Sequence, residues 1–121
     1  MDRKKILIAE DDRLNQLAYK GILSKFYDLK ICGDDKEFYA ALAGDTYDLF
    51  IIDLGLNCAK SGIDLLKELR QNERYVKTPV IVATAFVLRK DRDDSISAGA
   101  NSFLSKPFNR DILLEEIRRY V

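Results

Sequence analysis

Five short, mostly apolar runs recur along the chain, separated by longer polar or amphipathic stretches. They occupy residues 6–9, 29–32, 49–52, 80–83 and 102–104. Most of them are continuous apolar blocks rather than alternating ones, which is typical of parallel strands that are covered on both faces. The stretches between them have helical spacing. The pattern therefore predicts a strand followed by a helix, repeated five times.

The size of these units indicates the fold class. Five strand–helix units in 121 residues favour an open sheet with helices on both faces, because a closed eight-stranded barrel needs about 250 residues. We predict an α/β fold, (βα)5, whose doubly wound, five-stranded parallel sheet has the flavodoxin-like strand order 2-1-3-4-5. Residues 1–121 are expected to form one domain.

Apolar spacing and capping residues place the five helices. In the first helix we expect one apolar stripe to face the core, formed by Leu14, Leu17, Ala18, Ile22 and Phe26. We expect Asp34 and Ser61 to cap the second and third helices, and the fifth helix to begin at about Asn109. Gly99 is expected to end the polar fourth helix. Leu65, Leu66 and Leu69 should face the core in the third helix, and Leu113, Ile117 and Tyr120 in the fifth.

Charge and residue usage exclude several classes of protein. Twenty basic residues balance twenty acidic ones, so the chain has no overall attraction to nucleic acid or to an anionic membrane. No apolar run approaches the roughly 20 residues of a membrane span. Histidine is absent, which excludes histidine-based catalysis and most zinc sites. We expect a cytoplasmic protein that contacts neither membrane nor nucleic acid directly.

Polar side chains follow four of the five runs, at the point where each predicted strand ends. Because the carboxyl ends of parallel strands meet at one edge of a sheet, these side chains should converge on one crevice. They are Glu10, Asp11 and Asp12 after the first strand, Asp53 after the third, Thr84 after the fourth and Lys106 after the fifth. Asp12 has a simpler interpretation as the cap of the first helix.

These residue types suit phosphoryl transfer. Carboxylates packed together repel one another unless a cation neutralises them, and oxygen ligands suit Mg²⁺. A lysine offers positive charge to a phosphate, and an aspartate can act as the nucleophile that forms an aspartyl-phosphate. Catalysis of phosphoryl transfer is mostly positioning and electrostatic stabilisation, which such a set of groups can supply.

The whole chain resembles the receiver domain of response regulators in two-component signalling. Residues 4–16, KKILIAEDDRLNQ, are similar to the opening of the family, and Asp53 stands where its phosphoacceptor does. Residues 83–85, ATA, resemble the switch motif after the fourth strand, and residues 98–108, AGANSFLSKPF, resemble the fifth strand and its Lys-Pro turn. Each motif alone is a weak signal, but their joint order and spacing indicate the family.

The resemblance implies a phosphoacceptor and a metal site. Asp53 would take a phosphoryl group from a phosphohistidine on a sensor histidine kinase or a histidine phosphotransfer protein. Asp11, Asp53 and the backbone carbonyl of Gly55 match the Mg²⁺ ligands of the family, and Glu10 would act through water. A chain of this type is not an enzyme beyond weak self-dephosphorylation. It would stand alone or belong to a longer protein.

The resemblance also implies a conformational switch. Thr84 and Lys106 would hold the phosphate, and Phe103 matches the switch aromatic that couples the site to the surface of helix 4, strand 5 and helix 5. A phosphorylation-linked dimer is an expected consequence. Asn15-Gln16 and Asp91-Arg92, with the 103–108 segment, resemble receivers of hybrid kinases and phosphorelays more than those of transcription factors.

The loop after Asp53 departs from the family pattern. Many receivers have proline where Asn57 stands, and the loop is one residue longer before Gly62. Cys58, in the same loop, is more simply an incidental thiol than a redox sensor. Gly55 and Phe86, two positions beyond Asp53 and Thr84, offer no polar group to position a water molecule, so we expect slow self-dephosphorylation.

Three other functions fit parts of the pattern. A haloacid-dehalogenase-like phosphatase also uses an aspartate nucleophile and Mg²⁺, but it carries an Asp-x-Asp-x-Thr-like run that residues 10–14 lack. A degenerate receiver that acts only as a docking module should have lost the acceptor, the acids or the lysine. A flavodoxin-like cofactor carrier would have a phosphate-cradling loop after the first strand, where this chain has acids.

Overall fold

A computed structural model describes residues 3–85 and 88–121, which form a parallel sheet flanked by helices. The five strands are β1 (Lys5–Ala9), β2 (Asp28–Cys32), β3 (Leu49–Ile52), β4 (Val80–Thr84) and β5 (Ser102–Ser105). The five helices are α1 (Arg13–Leu23), α2 (Asp35–Gly44), α3 (Gly62–Arg70), α4 (Arg89–Ser97) and α5 (Arg110–Arg118). Strands and helices alternate along the chain, as the apolar runs predict.

The strands pair in the order β2-β1-β3-β4-β5, and every pair is parallel. This confirms the predicted fold class and strand order. Because the chain reverses direction across the sheet between β1 and β3, the carboxyl ends of these two central strands flank a crevice. The backbone N–H of Asp53 donates to the carbonyl of Ala9 at 3.0 Å, which places the ends of β3 and β1 side by side.

Two apolar layers cover the sheet, one on each face. Alternate residues of the strands point into each layer, so β1 sends Leu7 to one face and Ile8 to the other. The first layer contains Phe38 of α2 and the leucines of α3, whereas the second contains residues of α1 and α5. Strands buried on both faces explain why the runs in the sequence are continuous rather than alternating.

Side-chain caps open α2 and α3 as predicted, and a third cap opens α5 at its predicted start. Asp34, Ser61 and Asn109 each accept a hydrogen bond from a backbone N–H in the first turn of α2, α3 and α5. Gly99 follows α4 with a φ of 112°, a left-handed conformation that favours glycine, and so terminates this helix as predicted. The helices are nine to eleven residues long. No helix among the described residues is long and apolar enough to cross a membrane.

The predicted core stripe of α1 is wrong. Leu14 is 76% exposed and Leu17 is 48% exposed, and Ala18 and Phe26 are also exposed. The helix instead buries Tyr19 and Leu23, with Ile22 half-buried. The Tyr19 ring packs against the Phe108 ring at a centroid distance of 5.9 Å. The core face of α1 is therefore formed in part by tyrosine, which is aromatic with a polar hydroxyl, and not by the leucines that the pattern predicts.

Candidate functional site

The three acidic residues at the ends of β1 and β3 lie together. Glu10, Asp11 and Asp53 each offer a carboxylate oxygen, and these oxygens all lie within 4.8 Å of one another. The pairing of β1 with β3 produces this arrangement, because it places both strand ends at one edge of the sheet. Glu10 is almost completely buried, Asp53 is 9% exposed and Asp11 is exposed. The predicted convergence is therefore correct for these three acids.

Lys106 joins this cluster from the end of β5. Its Nζ donates to Asp53 Oδ2 at 2.8 Å and also to Glu10 Oε1, so one ammonium group bridges two of the three carboxylates. The backbone N–H of Lys106 donates to the carbonyl of Thr84 at 2.9 Å, which fixes the end of β5 against the end of β4. The Lys106–Pro107 peptide bond that follows is cis.

Thr84 completes the set of strand-end residues. It is fully buried at the end of β4, and its side chain helps to lower the pKa of the Asp53 carboxyl. The predicted site residues Glu10, Asp11, Asp53 and Lys106 thus meet at one place together with Thr84, although they are far apart in sequence.

The hydrogen bonds in the cluster decide its ionisation. Burial raises the pKa of Asp53, but hydrogen bonds from Lys106, Gly55 and Thr84 outweigh burial and hold this pKa below its ordinary value. Burial also dominates at Glu10 and raises its pKa. Burial lowers the pKa of Lys106, but its bonds to the two carboxylates outweigh burial and raise it. At neutral pH Asp53 is therefore an ionised carboxylate, and the Lys106 side chain that donates to it is an ammonium ion.

The loop between β3 and α3, residues 54–60, donates two backbone N–H groups to the cluster. The N–H of Gly55 donates to Asp53 Oδ1 and that of Asn57 donates to Asp11 Oδ2, both at 2.8 Å. Leu56, between them, is buried and anchors the loop in the core. The irregular segment after Asp53 therefore has an ordered contact with both aspartates.

The comparisons with known proteins agree with this geometry. A family profile described as "Response regulator receiver domain" matches residues 6–118. The chain belongs to this family. Receiver domains are signalling modules of two-component systems rather than classical enzymes, and they interact with histidine kinases or phosphotransfer proteins.

Three relatives illustrate how far the similarity extends. The transcriptional regulatory protein CpxR of Klebsiella pneumoniae is 39% identical over 114 residues, which are 94% of this chain and 47% of CpxR. This receiver domain thus spans about half the length of the curated relatives it matches. The receiver domain of sensor histidine kinase PA1611 from Pseudomonas aeruginosa, solved with magnesium in its active-site cleft, has a TM-score of 0.88 at 28% identity and covers 98% of each chain.

The chemotaxis response regulator CheY4 of Vibrio cholerae has a TM-score of 0.91, covers 99% of this chain and 100% of its own, and shows the same fold at 23% identity. Transcriptional regulators and a sensor-kinase receiver both match the chain. The closer resemblance to hybrid kinases and phosphorelays therefore stays a prediction.

The donor set of this receiver domain fits Mg²⁺. All candidate ligand atoms are oxygens of Glu10, Asp11 and Asp53, which a hard divalent cation prefers. When all three carboxylates are ionised, the Lys106 ammonium balances one of their charges and leaves two, which a divalent cation would neutralise. The chemistry of the cluster therefore points to Mg²⁺.

Sequence reasoning missed two residues that shape the site. A Cβ on Gly62, the first residue of α3, would lie 2.3 Å from the carbonyl oxygen of Asp53, so the helix packs directly on the backbone of Asp53. The side-chain Nε2 of Gln16 donates to the carbonyl of Glu10 at 2.6 Å. A glycine at a first helical position and a glutamine one turn beyond the cap Asp12 were the available signals.

The remaining candidates lie at the edge of the cluster. The side chain of Asp12 caps α1 by accepting from the N–H of Asn15, which is the simpler of its two interpretations. Phe103 is half-buried on β5, where it packs against the first apolar layer. The Cys58 thiol donates to the carbonyl of Lys60 at 3.0 Å. Phe86 lies outside the described residues.

Proposed function

We propose that residues 1–121 form one phosphoryl-accepting receiver domain in which Asp53 is the phosphoacceptor. The observation that carries this proposal is the contact of Asp53 with Lys106 at 2.8 Å inside a cluster of three carboxylates. An ionised, partly buried carboxylate beside a fixed ammonium group is a nucleophile with a positive charge already in place for an incoming phosphate.

The reaction transfers a phosphoryl group from a partner's phosphohistidine, carried by a sensor histidine kinase or a histidine phosphotransfer protein. A carboxylate oxygen of Asp53 forms the new phosphorus–oxygen bond while the phosphorus–nitrogen bond breaks. The electron pair of that bond returns to the imidazole nitrogen of the partner. The lowered pKa of Asp53 supports this role, because the nucleophile must be ionised.

Asp11, Asp53 and the backbone carbonyl of Gly55 would hold Mg²⁺ directly, and Glu10 would hold it through water. When bound, Mg²⁺ supplies positive charge against the negative charge of the transferred group. Lys106 supplies a second positive charge from the end of β5, and it already contacts two of these carboxylates.

Thr84 and Phe103 would carry the signal away from the site. A phosphoryl group on Asp53 offers the Thr84 hydroxyl a new acceptor, and Thr84 lies at the end of the strand that pairs with β5, where Phe103 faces Val82. Movement of Thr84 toward the phosphate would free space for the half-buried Phe103 ring, and so alter the surface of α4, β5 and α5. A phosphorylation-linked dimer through that surface stays a prediction, as does the cytoplasmic location.

Intact mass after incubation with Mg²⁺ and acetyl phosphate tests the proposal. We expect one phosphoryl adduct per chain, absent from Asp53→Asn and absent when a chelator removes Mg²⁺. Sustained hydrolysis of a phosphate ester without an adduct would indicate a phosphatase instead. A protein that forms no adduct and hydrolyses nothing would be a docking module.

The decay of the adduct tests a further expectation. Gly55 has no side chain that could orient an attacking water molecule, so we expect slow self-dephosphorylation. The half-life of the adduct, followed by intact mass after removal of acetyl phosphate, measures this rate, and rapid loss would contradict it.

A further inference from the structure

Asp11 depends on one neighbour for the orientation of its carboxylate. Its side chain is exposed, and its Oδ2 accepts from the backbone N–H of Asn57 at 2.8 Å. Within residues 3–85 and 88–121, no other hydrogen bond and no ion pair reaches this carboxylate. Asp53 is different, because Gly55, Lys106 and Thr84 all contact it.

The donor of this bond depends on which residue stands at position 57. Proline, which many receivers have where Asn57 stands, carries no N–H and could not donate to Asp11. The contact therefore requires a residue other than proline at position 57, and Asn57 supplies the N–H. Leu56 is only 7% exposed, so its buried side chain holds the adjacent Asn57 N–H in place.

We propose that the backbone N–H of Asn57 is a positioning group for the metal ligand Asp11, and that the 54–60 loop responds to metal occupancy through it. This inference rests on the proposed function. The bond uses one oxygen of Asp11 and leaves the other for a cation, so it orients the ligand without neutralising it. Outer hydrogen bonds of this kind typically change metal affinity about 10- to 100-fold.

The coupling must act in both directions. If the ordered loop increases the affinity of the site for Mg²⁺, then bound Mg²⁺ stabilises the ordered loop by the same factor. Cys58, next to Asn57, can report this, because it is half-buried and its thiol donates within the loop to the carbonyl of Lys60. Its rate of modification should fall when the loop is held more firmly.

Two variants at position 57 separate the effect of the backbone N–H from that of the side chain. Asn57→Ala keeps the donor and removes the amide side chain, whereas Asn57→Pro removes the donor. Calorimetric titration with MgCl₂ alone should give the same affinity for wild type and Asn57→Ala, and an affinity at least about 10-fold lower for Asn57→Pro. Equal affinities in all three proteins, or equal losses in both variants, would overturn the inference.

Labelling with a thiol reagent supplies the second readout. Mg²⁺ should slow the modification of Cys58 in wild type and Asn57→Ala but not in Asn57→Pro, while the fully buried Cys32 stays unreactive and shows that each core is intact. If wild type binds Mg²⁺ and the rate at Cys58 does not change, the inference fails and the proposed function stands. If wild type binds no Mg²⁺, the proposed function fails as well.

Discussion

The contact between α3 and the backbone of Asp53 predicts a large effect from the smallest possible substitution, Gly62→Ala. The added Cβ would lie 2.3 Å from the Asp53 carbonyl oxygen and 2.9 Å from both the Asp53 carbonyl carbon and Leu54 Cα. Ordinary contacts begin near 3.4 Å, so backbone must move by roughly 1 Å. Neither neighbour is a flexible side chain that could turn away.

The energetic consequence has two opposing parts. Overpacking against fixed atoms typically costs about 1–3 kcal/mol, whereas alanine in a helix gains at most about 1 kcal/mol over glycine. We therefore expect Gly62→Ala to lower the free energy of unfolding by about 1–2 kcal/mol in urea denaturation followed by circular dichroism. Displacing Asp53 by an ångström should also slow its phosphorylation by acetyl phosphate on the order of 100-fold.

Gly21→Ala is the matched control. A Cβ on Gly21, inside α1, would meet nothing within 4 Å. This variant should gain about 0.4–1 kcal/mol, because alanine restricts the unfolded chain more than glycine does, and it should accept phosphate at the wild-type rate. The reasoning is refuted if Gly62→Ala is as stable as Gly21→Ala and accepts phosphate as fast as wild type.

Three further variants or measurements test the structure away from Asp53. Arg70→Lys should lower the free energy of unfolding by about 2 kcal/mol, because its half-buried guanidinium donates to backbone carbonyls that a lysine cannot all reach; an unchanged urea midpoint would contradict this. Burial raises the pKa of Cys32 to about 11, so Ellman's reagent should modify only Cys58 before unfolding, and two reactive thiols would disprove it. Hydrogen bonds from Ser61 lower the pKa of Asp64 in the folded protein below 3.8. The ionised Asp64 should therefore stabilise the fold above pH 3.8, and this effect should disappear as the pH falls through the folded-state pKa. The difference in melting temperature between wild type and Asp64→Asn measures the effect, and a difference that is constant with pH would contradict the prediction.

The strands and the acidic cluster were predictable because one rule governs both. Parallel strands covered on both faces must be continuously apolar, and their ends must share an edge. Glu10 and Asp53 could therefore be placed together without knowing any side-chain conformation. The order of the strands settled the rest, since β5 next to β4 brings Lys106 to the same edge.

The stripe on α1 could not be predicted by the same means. Leucines at helical spacing indicate an amphipathic helix, but they do not show which way the helix turns toward the sheet. Here Tyr19 and Leu23 face the sheet, and the contact of Tyr19 with Phe108 in the loop before α5 holds them there. That contact joins parts of the chain whose proximity is known only from the assembled fold.

The charges of the site were predictable from the sequence, but the backbone hydrogen bonds to its carboxylates were not. Side chains at strand ends have positions set by the sheet, whereas the N–H groups of Gly55 and Asn57 depend on the path of an irregular loop.

The different partners of Asp53 and Asp11 have a chemical consequence for cation binding. A cation entering the crevice competes with Lys106 for the oxygens of Asp53, but at Asp11 it meets a carboxylate that no described ammonium or guanidinium group contacts. Of the three carboxylates, Asp11 is therefore the one at which an entering cation would displace least.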